Sequence, residues 1–450
     1  MKTLLTILIF WMIPFYLFPA QGNPEMSDSI QRQNPQEPEQ NIPLLTENQN
    51  QQPENQIGFD GFPKRDYPFL LNFPWVTYAG AATIDSALTL TLRGINYPIS
   101  LLTVKTGGLL GSFIFLGKTL LIDAPLTITA MTFNHEFFGH AARVREAGGT
   151  VKKVHISMPW PYGSGGGYIS YSGVNHYDEN ILVITGGSEA NLLLSQGIAR
   201  RWTRTGIVDQ NDYLLYSITR LDLFFYIQTL KSASGSIVSN DIDSYLTIVN
   251  NKYGYTQIEN FPLTLKKLKN WSYILLIDPY LYMGVISAVH KQITKKNIFH
   301  LPLIPLGKNA GFLPSMKIAL TPFGPEWYID IFFKLPEDMT GQYYLRVGTK
   351  TFRSFWGMGF RIDGIKIVKN FSIGAGFDIF SQPEIASSYS GNSADTISLK
   401  TGFALYLDLT VSPIRDLKLY ARIGYKTDGY VFGMALKKSV LWHFGFGIFL

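Results

Sequence analysis

The sequence contains no cysteine and few charged residues. Without cysteine, the chain cannot form disulfides, thiolate zinc sites, a cysteine nucleophile or a lipobox. Only 16% of the 450 residues are charged, whereas roughly 25% is typical of soluble domains. The 39 basic and 33 acidic residues are spread along the chain, while proteins that bind nucleic acid concentrate their basic residues in patches. We therefore expect no nucleic-acid partner, despite the net charge of +6.

The N-terminus has the pattern of an export signal. A single lysine, Lys2, precedes an apolar run over 4–18 that ends in a small-x-small sequence. These are the parts of a secretory signal peptide, so we assign residues 1–22 to one; the alternative is an uncleaved anchor helix. Residues 23–58 consist largely of Gln, Asn, Pro and Glu, which bury too little surface to fold. They are predicted to form a disordered tether that precedes an exported, folded protein.

Residues 59–305 are predicted to form a mainly helical domain, because apolar residues recur there at helical spacing. The predicted helices cover 127–146, 181–204, 213–230, 241–252 and 265–293. Asn240-Asp241 is a typical start signal for the fourth of them. Two segments, 109–122 and 271–289, approach the apolarity of a membrane span. Because Lys118 interrupts the first and Asp278-Pro279 the second, we interpret both as buried core helices.

From residue 306 the apolar pattern changes to period two, which is typical of β-strands. In 399–411 and 442–450, large apolar residues alternate with small or polar ones. Similar stretches, including one that begins near Tyr430, are separated by turn residues and predict eight or nine strands. The predicted fold class is therefore α+β: a helical domain over 59–305, then an antiparallel all-β domain over 306–450 that is barrel-like.

The two faces of these strands differ in a way that bears on location. One face is large and apolar, and the other carries Gly, Ala, Ser, Asp and Lys, which suits a small barrel whose outside contacts lipid. This region resembles the outer-membrane β-barrels of Gram-negative bacteria, although Leu450 ends the chain where those proteins usually have Phe. The resemblance implies membrane lipid as a partner and a location in the outer membrane or periplasm. A soluble antiparallel sheet packed on the helical domain is the alternative.

One apolar helical stretch contains the sequence Asn-His-Glu-Phe-Phe-Gly-His over 134–140. It is one residue longer than the common zinc-protease motif, in which two histidines at i and i+4 hold zinc and the Glu lies beside the bound water. At i and i+5 on a regular helix, His135 and His140 would be about 140° apart. A π-type turn would absorb the extra residue and bring both imidazoles to one face. Gly139 lies where such a bulge is least hindered.

This motif resembles that of the dipeptidyl peptidase III family of zinc exopeptidases, which carries the same extra residue. The resemblance implies that His135 and His140 bind Zn²⁺ and that Glu136 is the general base. The chain also resembles site-2-type proteases, in the His-Ala after the motif and in a later segment, 186–193, that looks like their small-Gly-x-x-x-Asn-Leu-Leu helix. It departs from them in the extra Phe and in lacking the Asn-Pro-Asp-Gly element that supplies their third ligand, an aspartate.

The third metal ligand must therefore come from elsewhere, and Glu189 is our choice. It lies among apolar residues in the predicted helix 181–204, where a carboxylate is costly unless it is paired or binds a cation. Alternatively, Glu189 forms a salt bridge with Arg200 or Arg201. The other candidate ligands are Asp178, Glu179, Asp222, Asp278, His155 and His176.

Together these features predict a membrane-associated zinc peptidase that acts on a peptide or protein substrate. Glu136 would accept a proton from zinc-bound water and deliver it to the leaving amine. By analogy, Trp160-Pro161-Tyr162 would form a flap over the substrate, and the oxyanion would be stabilised by Tyr168, His155 or His176. One alternative is a non-enzymatic outer-membrane barrel whose helical domain serves binding, transport or assembly. Another is an inner-membrane protease, which would exclude an outer-membrane barrel.

Overall fold

A helical region precedes a large antiparallel sheet, which confirms the predicted α+β class. The computed structural model describes residues 64–71, 77–106, 108–231, 240–253, 263–294, 298–348, 355–385 and 398–450. The predicted signal peptide (1–22) and tether (23–58) lie outside these residues. The described residues all belong to one compact unit.

The helices occupy the chain before residue 295. In the described residues the α-helices are α1 (Thr77–Thr106), α2 (Gly108–Lys118), α3 (Ala124–Phe133), α4 (Ala141–Glu146), α5 (Tyr177–Thr205), α6 (Tyr213–Thr229), α7 (Asp241–Lys252), α8 (Leu265–Ser272) and α9 (Pro279–Thr294). Two π-turns, Thr119–Asp123 and Asn134–His140, join α2, α3 and α4 into one continuous helix. We call this helix, Leu110–Glu146, the motif helix. The predicted helix 265–293 is broken before Pro279, and its two parts are bent by 52°, because proline cannot continue a preceding helix.

The strands lie mostly after residue 304. In chain order they are β1 (Asp66–Leu71), β2 (Thr150–Ile156), β3 (Gly167–Ser172), β4 (Ile207–Asp209), β5 (Ile298–His300), β6 (Ile304–Gly307), β7 (Ala310–Thr321), β8 (Gly324–Lys334), β9 (Thr340–Gly348), β10 (Trp356–Val368), β11 (Phe371–Pro383), β12 (Leu399–Ile414), β13 (Leu417–Lys426) and β14 (Ser439–Phe449). β2 pairs with β3 and β4 with β5. The other strands form the main sheet.

The main sheet is open, whereas we predicted a barrel of eight or nine strands. Within the described residues it has ten strands in the order β1-β14-β13-β12-β11-β10-β9-β8-β7-β6, and each strand is antiparallel to its neighbours. β1 comes from the predicted helical domain, yet it pairs with the last strand. No strand forms at Tyr430; its carbonyl accepts a hydrogen bond from Arg346 (2.7 Å), because the segment 427–438 folds inward against α5.

The face of the main sheet that packs on α5 carries buried polar side chains. α5 lies against β7, β8 and β9, and the inward side chains include the buried ion pair of Lys317 and Asp330. The outward side chains are apolar: Leu405 is 54% exposed, Ile423 60% and Phe444 54%. The predicted alternation of large apolar and small or polar residues is therefore present. At β7 the apolar face is covered as well, because Ile318 and Leu320 are buried against the helices.

The apolar core lies where α5, α6 and α7 meet β7 and β8. Asn240 is the N-cap of α7: its side chain accepts a hydrogen bond from the Ile242 backbone N–H (2.8 Å). The apolar side chains of α7 recur at helical spacing and face this core. Their packing fixes the position of α7 and therefore of its first turn. The core includes Ile181, Leu192, Leu223, Ile227, Ile242, Tyr245, Val249, Ile318, Leu320 and Tyr328.

The apolar segment 109–122 differs from the buried core helix that we expected. Leu110 is 60% exposed and Phe113 61% exposed. Among the described helices, the motif helix is long and apolar enough to cross a membrane, and α8 and α9 meet that criterion only as a bent pair. Lys118, in this segment, and the nearby Asp123 point inward. Both are buried, and they pair with each other.

Replacing Lys317 by Met tests the polar inner face. The change leaves the Asp330 carboxylate buried without its cation, so we expect the free energy of unfolding to fall by about 3–5 kcal/mol. Chemical denaturation measures this loss. Ile329→Ala, on the outer face of the neighbouring strand β8, is the matched control and should change the free energy of unfolding by less than about 1 kcal/mol. Equal losses from both variants would contradict the assignment of the two faces.

Candidate metal centre

The π-turn predicted from the His-Glu-x-x-Gly-His spacing is present. It spans Asn134–His140 and brings the two imidazoles to the same side of the motif helix, with ring centroids 4.7 Å apart. His135, Glu136 and His140 each offer one ligand atom, and these atoms lie within 4.8 Å of one another. All three side chains are largely shielded from solvent. This group could hold a metal ion.

Three glycines allow the motif helix and α5 to approach closely at this point. A Cβ atom on Gly139 would lie 2.6 Å from the Gly186 carbonyl oxygen, well inside van der Waals contact. A Cβ atom on Gly187 would overlap the His135 ring. Glycine at 139 is therefore required by helix packing, in addition to the π-turn for which we predicted it.

Asp241 completes the group, although we did not predict it as a ligand. Its Oδ2 atom lies 3.1 Å from His140 Nε2 and 3.5 Å from His135 Nε2. Asp241 is the first residue of α7, about 100 positions beyond the motif. Asn240-Asp241 was identifiable as a helix start, but a helix start has the same sequence whether or not its aspartate binds a ligand. Only the tertiary packing of α7 shows which aspartate reaches the imidazoles.

Each imidazole is held from behind through its Nδ1 atom. His140 Nδ1 lies 2.6 Å from the Val183 carbonyl oxygen. His135 Nδ1 lies 3.4 Å from Asp222 Oδ2 and 3.4 Å from Asn191 Nδ2, and Asn191 donates a hydrogen bond to Asp222 (2.9 Å). Such contacts fix the tautomer and the orientation of metal-binding histidines, leaving Nε2 to face the metal.

The contact between His140 and Asp241 requires a cation. When Nδ1–H is donated to the Val183 carbonyl, the neutral imidazole presents only a lone pair at Nε2. That lone pair would face a carboxylate oxygen 3.1 Å away, and two acceptors repel each other. A proton on Nε2 or a metal ion between the two atoms removes the repulsion.

The distances fit a metal ion. Nitrogen and oxygen ligands at typical zinc distances in a tetrahedral site lie about 3.3–3.4 Å from each other, close to the 3.1 and 3.5 Å observed. Burial alone would raise the pKa of the Asp241 carboxyl, but the positive charge of protonated His140 and His135 and the hydrogen bonds from them hold it well below its usual range; a metal ion at the same place would supply that positive charge instead of the two protons. The carboxylate is therefore available as an anionic ligand.

Gly167 and Tyr226 adjoin the cluster of His135, Glu136, His140 and Asp241. Gly167 of β3 lies beside Glu136: a Cβ atom there would be 2.7 Å from Glu136 Cγ, so the β2–β3 hairpin covers this carboxylate. The Tyr226 hydroxyl donates a hydrogen bond to Asp241 Oδ2 (3.3 Å), and its ring centroid is 6.2 Å from that of His135. The sequence provided no signal for Tyr226, one of several aromatic residues in an apolar helix.

The structure does not bring Glu189 to the imidazoles. Its carboxylate accepts hydrogen bonds from Arg143 (2.6 and 3.0 Å), from the Tyr430 hydroxyl (3.0 Å) and from the Gly433 backbone N–H (2.8 Å). As expected, this buried carboxylate has a charged partner, but the partner is Arg143 rather than a metal, Arg200 or Arg201. Glu189 therefore joins the inward segment 427–438 to the motif helix. Asp241, rather than Glu189, lies next to the two imidazoles.

The remaining predicted residues are spread over the structure. Of the alternative ligands, Asp222 lies behind His135, whereas Asp178 pairs with Lys252, Asp278 with Arg220 and Glu179 with Lys437. Of the predicted oxyanion groups, His155 and Tyr168 contact each other on the hairpin, and His176 precedes α5. The tip of the predicted flap contacts the motif helix, where the Tyr162 hydroxyl donates to the Leu121 carbonyl (2.9 Å).

The chain matches no protein-family model, no curated protein and no solved structure. The site itself comprises two imidazole nitrogens within 3.1–3.5 Å of one carboxylate oxygen, with a second carboxylate, Glu136, in the same cluster.

Substitutions at Asp241 and Glu189 separate the roles of these two carboxylates. Asp241→Asn should abolish metal binding, because an amide is a far weaker ligand than an anionic carboxylate. Glu189→Gln should retain the metal and lower the unfolding temperature, because it weakens the partner of the buried Arg143. Metal analysis of the purified proteins and thermal unfolding measure the two effects. Metal lost in Glu189→Gln but retained in Asp241→Asn would contradict this assignment.

The helix contact can be tested without changing any ligand. Gly187→Ala places a methyl group against the His135 ring, so we expect the ring to be displaced and the metal affinity to fall at least about tenfold, as for other disturbances behind a metal ligand. Gly197→Ala, on the same helix with open space around it, is the control and should bind metal normally. Equal affinities would show that the contact does not orient His135.

Proposed function

We propose that this protein is a membrane-associated, zinc-dependent peptidase. The observation that carries the proposal is the convergence of His135 Nε2, His140 Nε2 and Asp241 Oδ2, with Glu136 in the same cluster. Two imidazoles and one carboxylate, with a fourth position for water or substrate, are a ligand set of catalytic zinc sites. A Glu that directly follows the first histidine has the general-base position in zinc peptidases.

Glu136 performs the proton transfers of the proposed reaction. Zinc bound at this group would lower the pKa of a water molecule to about 7 and polarise the substrate carbonyl. The Glu136 carboxylate accepts a proton from the attacking water as its oxygen bonds to the carbonyl carbon. It then delivers that proton to the amide nitrogen as the C–N bond breaks, so Glu136 ends the cycle as a carboxylate.

Tyr226 is the proposed donor to the developing oxyanion. Its hydroxyl already lies beside Asp241, so a carbonyl oxygen bound next to that carboxylate is within its reach. Burial and the nearby Asp241 charge raise the pKa of Tyr226, which keeps the hydroxyl protonated at neutral pH. A fixed donor aimed at the oxyanion stabilises the transition state more than the ground state.

The membrane part of the proposal is supported by the apolar outer face of the main sheet. In outer-membrane sheets the lipid-facing side chains are apolar and the inner ones polar, and the exposures of Leu405 and Lys317 follow this order. Together with the export signal predicted at the N-terminus, this favours the outer membrane or periplasm of a Gram-negative bacterium, with lipid as a partner.

Glu136→Gln tests the general-base role. The amide cannot accept a proton from water, so we expect peptide hydrolysis to fall by at least about 10²-fold while about one zinc per chain is retained. Metal analysis and cleavage of a fluorogenic peptide library, with Glu337→Gln as a surface control, measure both. Retained hydrolysis in Glu136→Gln would reject the role. A wild-type protein that binds no metal would favour the non-enzymatic alternative.

A further inference from the structure

The exposed apolar surface extends beyond the main sheet onto the helices. On α2, Phe113 is 61% exposed, and on α9, Val289 is 43% and Ile286 40% exposed. Surface helices of water-soluble proteins turn such residues toward the core and expose polar ones. Here the same preference for apolar exposure is found on strands and helices alike.

These helices bridge the two edges of the main sheet. At one edge, β1 packs on α1, and α1 packs on α2. From α9, the Lys291 ammonium lies 5.7 Å from the centroid of the Phe115 ring of α2. At the other end of the sheet, α9 packs on β7, the neighbour of the edge strand β6. The sequence of contacts β1–α1–α2–α9–β7 therefore continues the wall that the strands leave open.

The inner side of this wall is polar over both parts. On the strands, Arg346 pairs with Glu326 (2.6 Å) and Arg422 with Asp408 (2.6 Å). On the motif helix, Lys118 pairs with Asp123, and both are 8% exposed. Charged groups are thus enclosed while large apolar side chains face outward, which reverses the usual order of a water-soluble protein.

The occupant of the outer surface follows from its extent and its dimensions. A protein partner covers one side of a molecule, whereas this apolar surface continues from the strands across the helices that join their edges. Strands β7–β14 have 9 to 16 residues, and about 9–11 suffice for a tilted strand to cross a bilayer. Lipid acyl chains match both the continuity and the height.

We propose that strands β7–β14, with the short edge strands β1 and β6, and the helices α2 and α9 form one composite wall whose exposed outer surface contacts lipid acyl chains. The helices take the place of the strand pairing that would close a barrel. This inference extends the membrane part of the proposed function and is independent of hydrolysis.

Single cysteine variants test the composite wall, because the chain has no cysteine of its own. Leu405→Cys on the sheet, Phe113→Cys on α2 and Val289→Cys on α9 are labelled with a nitroxide in vesicles of phosphatidylcholine and phosphatidylglycerol. Collision with oxygen, which concentrates in lipid, is compared with collision with a water-soluble nickel chelate. Lys152→Cys, on the exposed strand β2, is the aqueous control.

We expect all three wall positions to collide with oxygen and to lose access to the nickel chelate, in contrast to Lys152→Cys. If only Leu405→Cys is protected, the sheet contacts lipid but the helices contact water, and the composite wall is wrong while membrane association stands. If all three positions react like Lys152→Cys, membrane association fails as well. Only variants whose unfolding temperature equals that of the parent are compared.

Discussion

The close contact between the motif helix and α5 is the constraint on which the metal group depends. Because Gly139 and Gly187 have no side chains, the two backbones meet, and α5 comes near enough for the Val183 carbonyl to contact His140 Nδ1. Asn191, also on α5, reaches His135 at the same time. One helix contact therefore makes room for both imidazoles and directs their Nε2 atoms to the same point.

The local part of this site could be predicted from the sequence, and the nonlocal part could not. The spacing of His135 and His140 determines that a π-turn is needed for both rings to share a face, and this depends on helix geometry alone. The third ligand depends on which carboxylate the tertiary fold brings near. Glu189 met the criterion of burial in an apolar helix. Any buried carboxylate meets that criterion, however, and the charge of Glu189 is balanced by Arg143.

The fold shows the same division. Alternation along the strands identified two faces correctly, because side chains of a strand point to opposite sides whatever surrounds it. Alternation does not show which face is covered or whether the two edge strands pair with each other. Both depend on α5, which packs on the inner face of the main sheet, where Gln196 donates a hydrogen bond to Asp330 (3.3 Å), and on the helices between β1 and β7. The inward segment at Tyr430 is a further consequence of that central helix.

We expected an outer-membrane barrel to have no true spanning helix before it, so that the two would exclude each other. The motif helix is not apolar throughout, because it carries the buried charged residues Lys118, Asp123 and Glu136. These charged groups are stabilised by partners inside the wall, so the helix is suited to lipid only on its outer side, as each strand is. In the proposed wall, the inner side is polar on the strands and on the helices alike. An ionisable metal group can therefore lie on the inner side of a helix whose outer side is apolar.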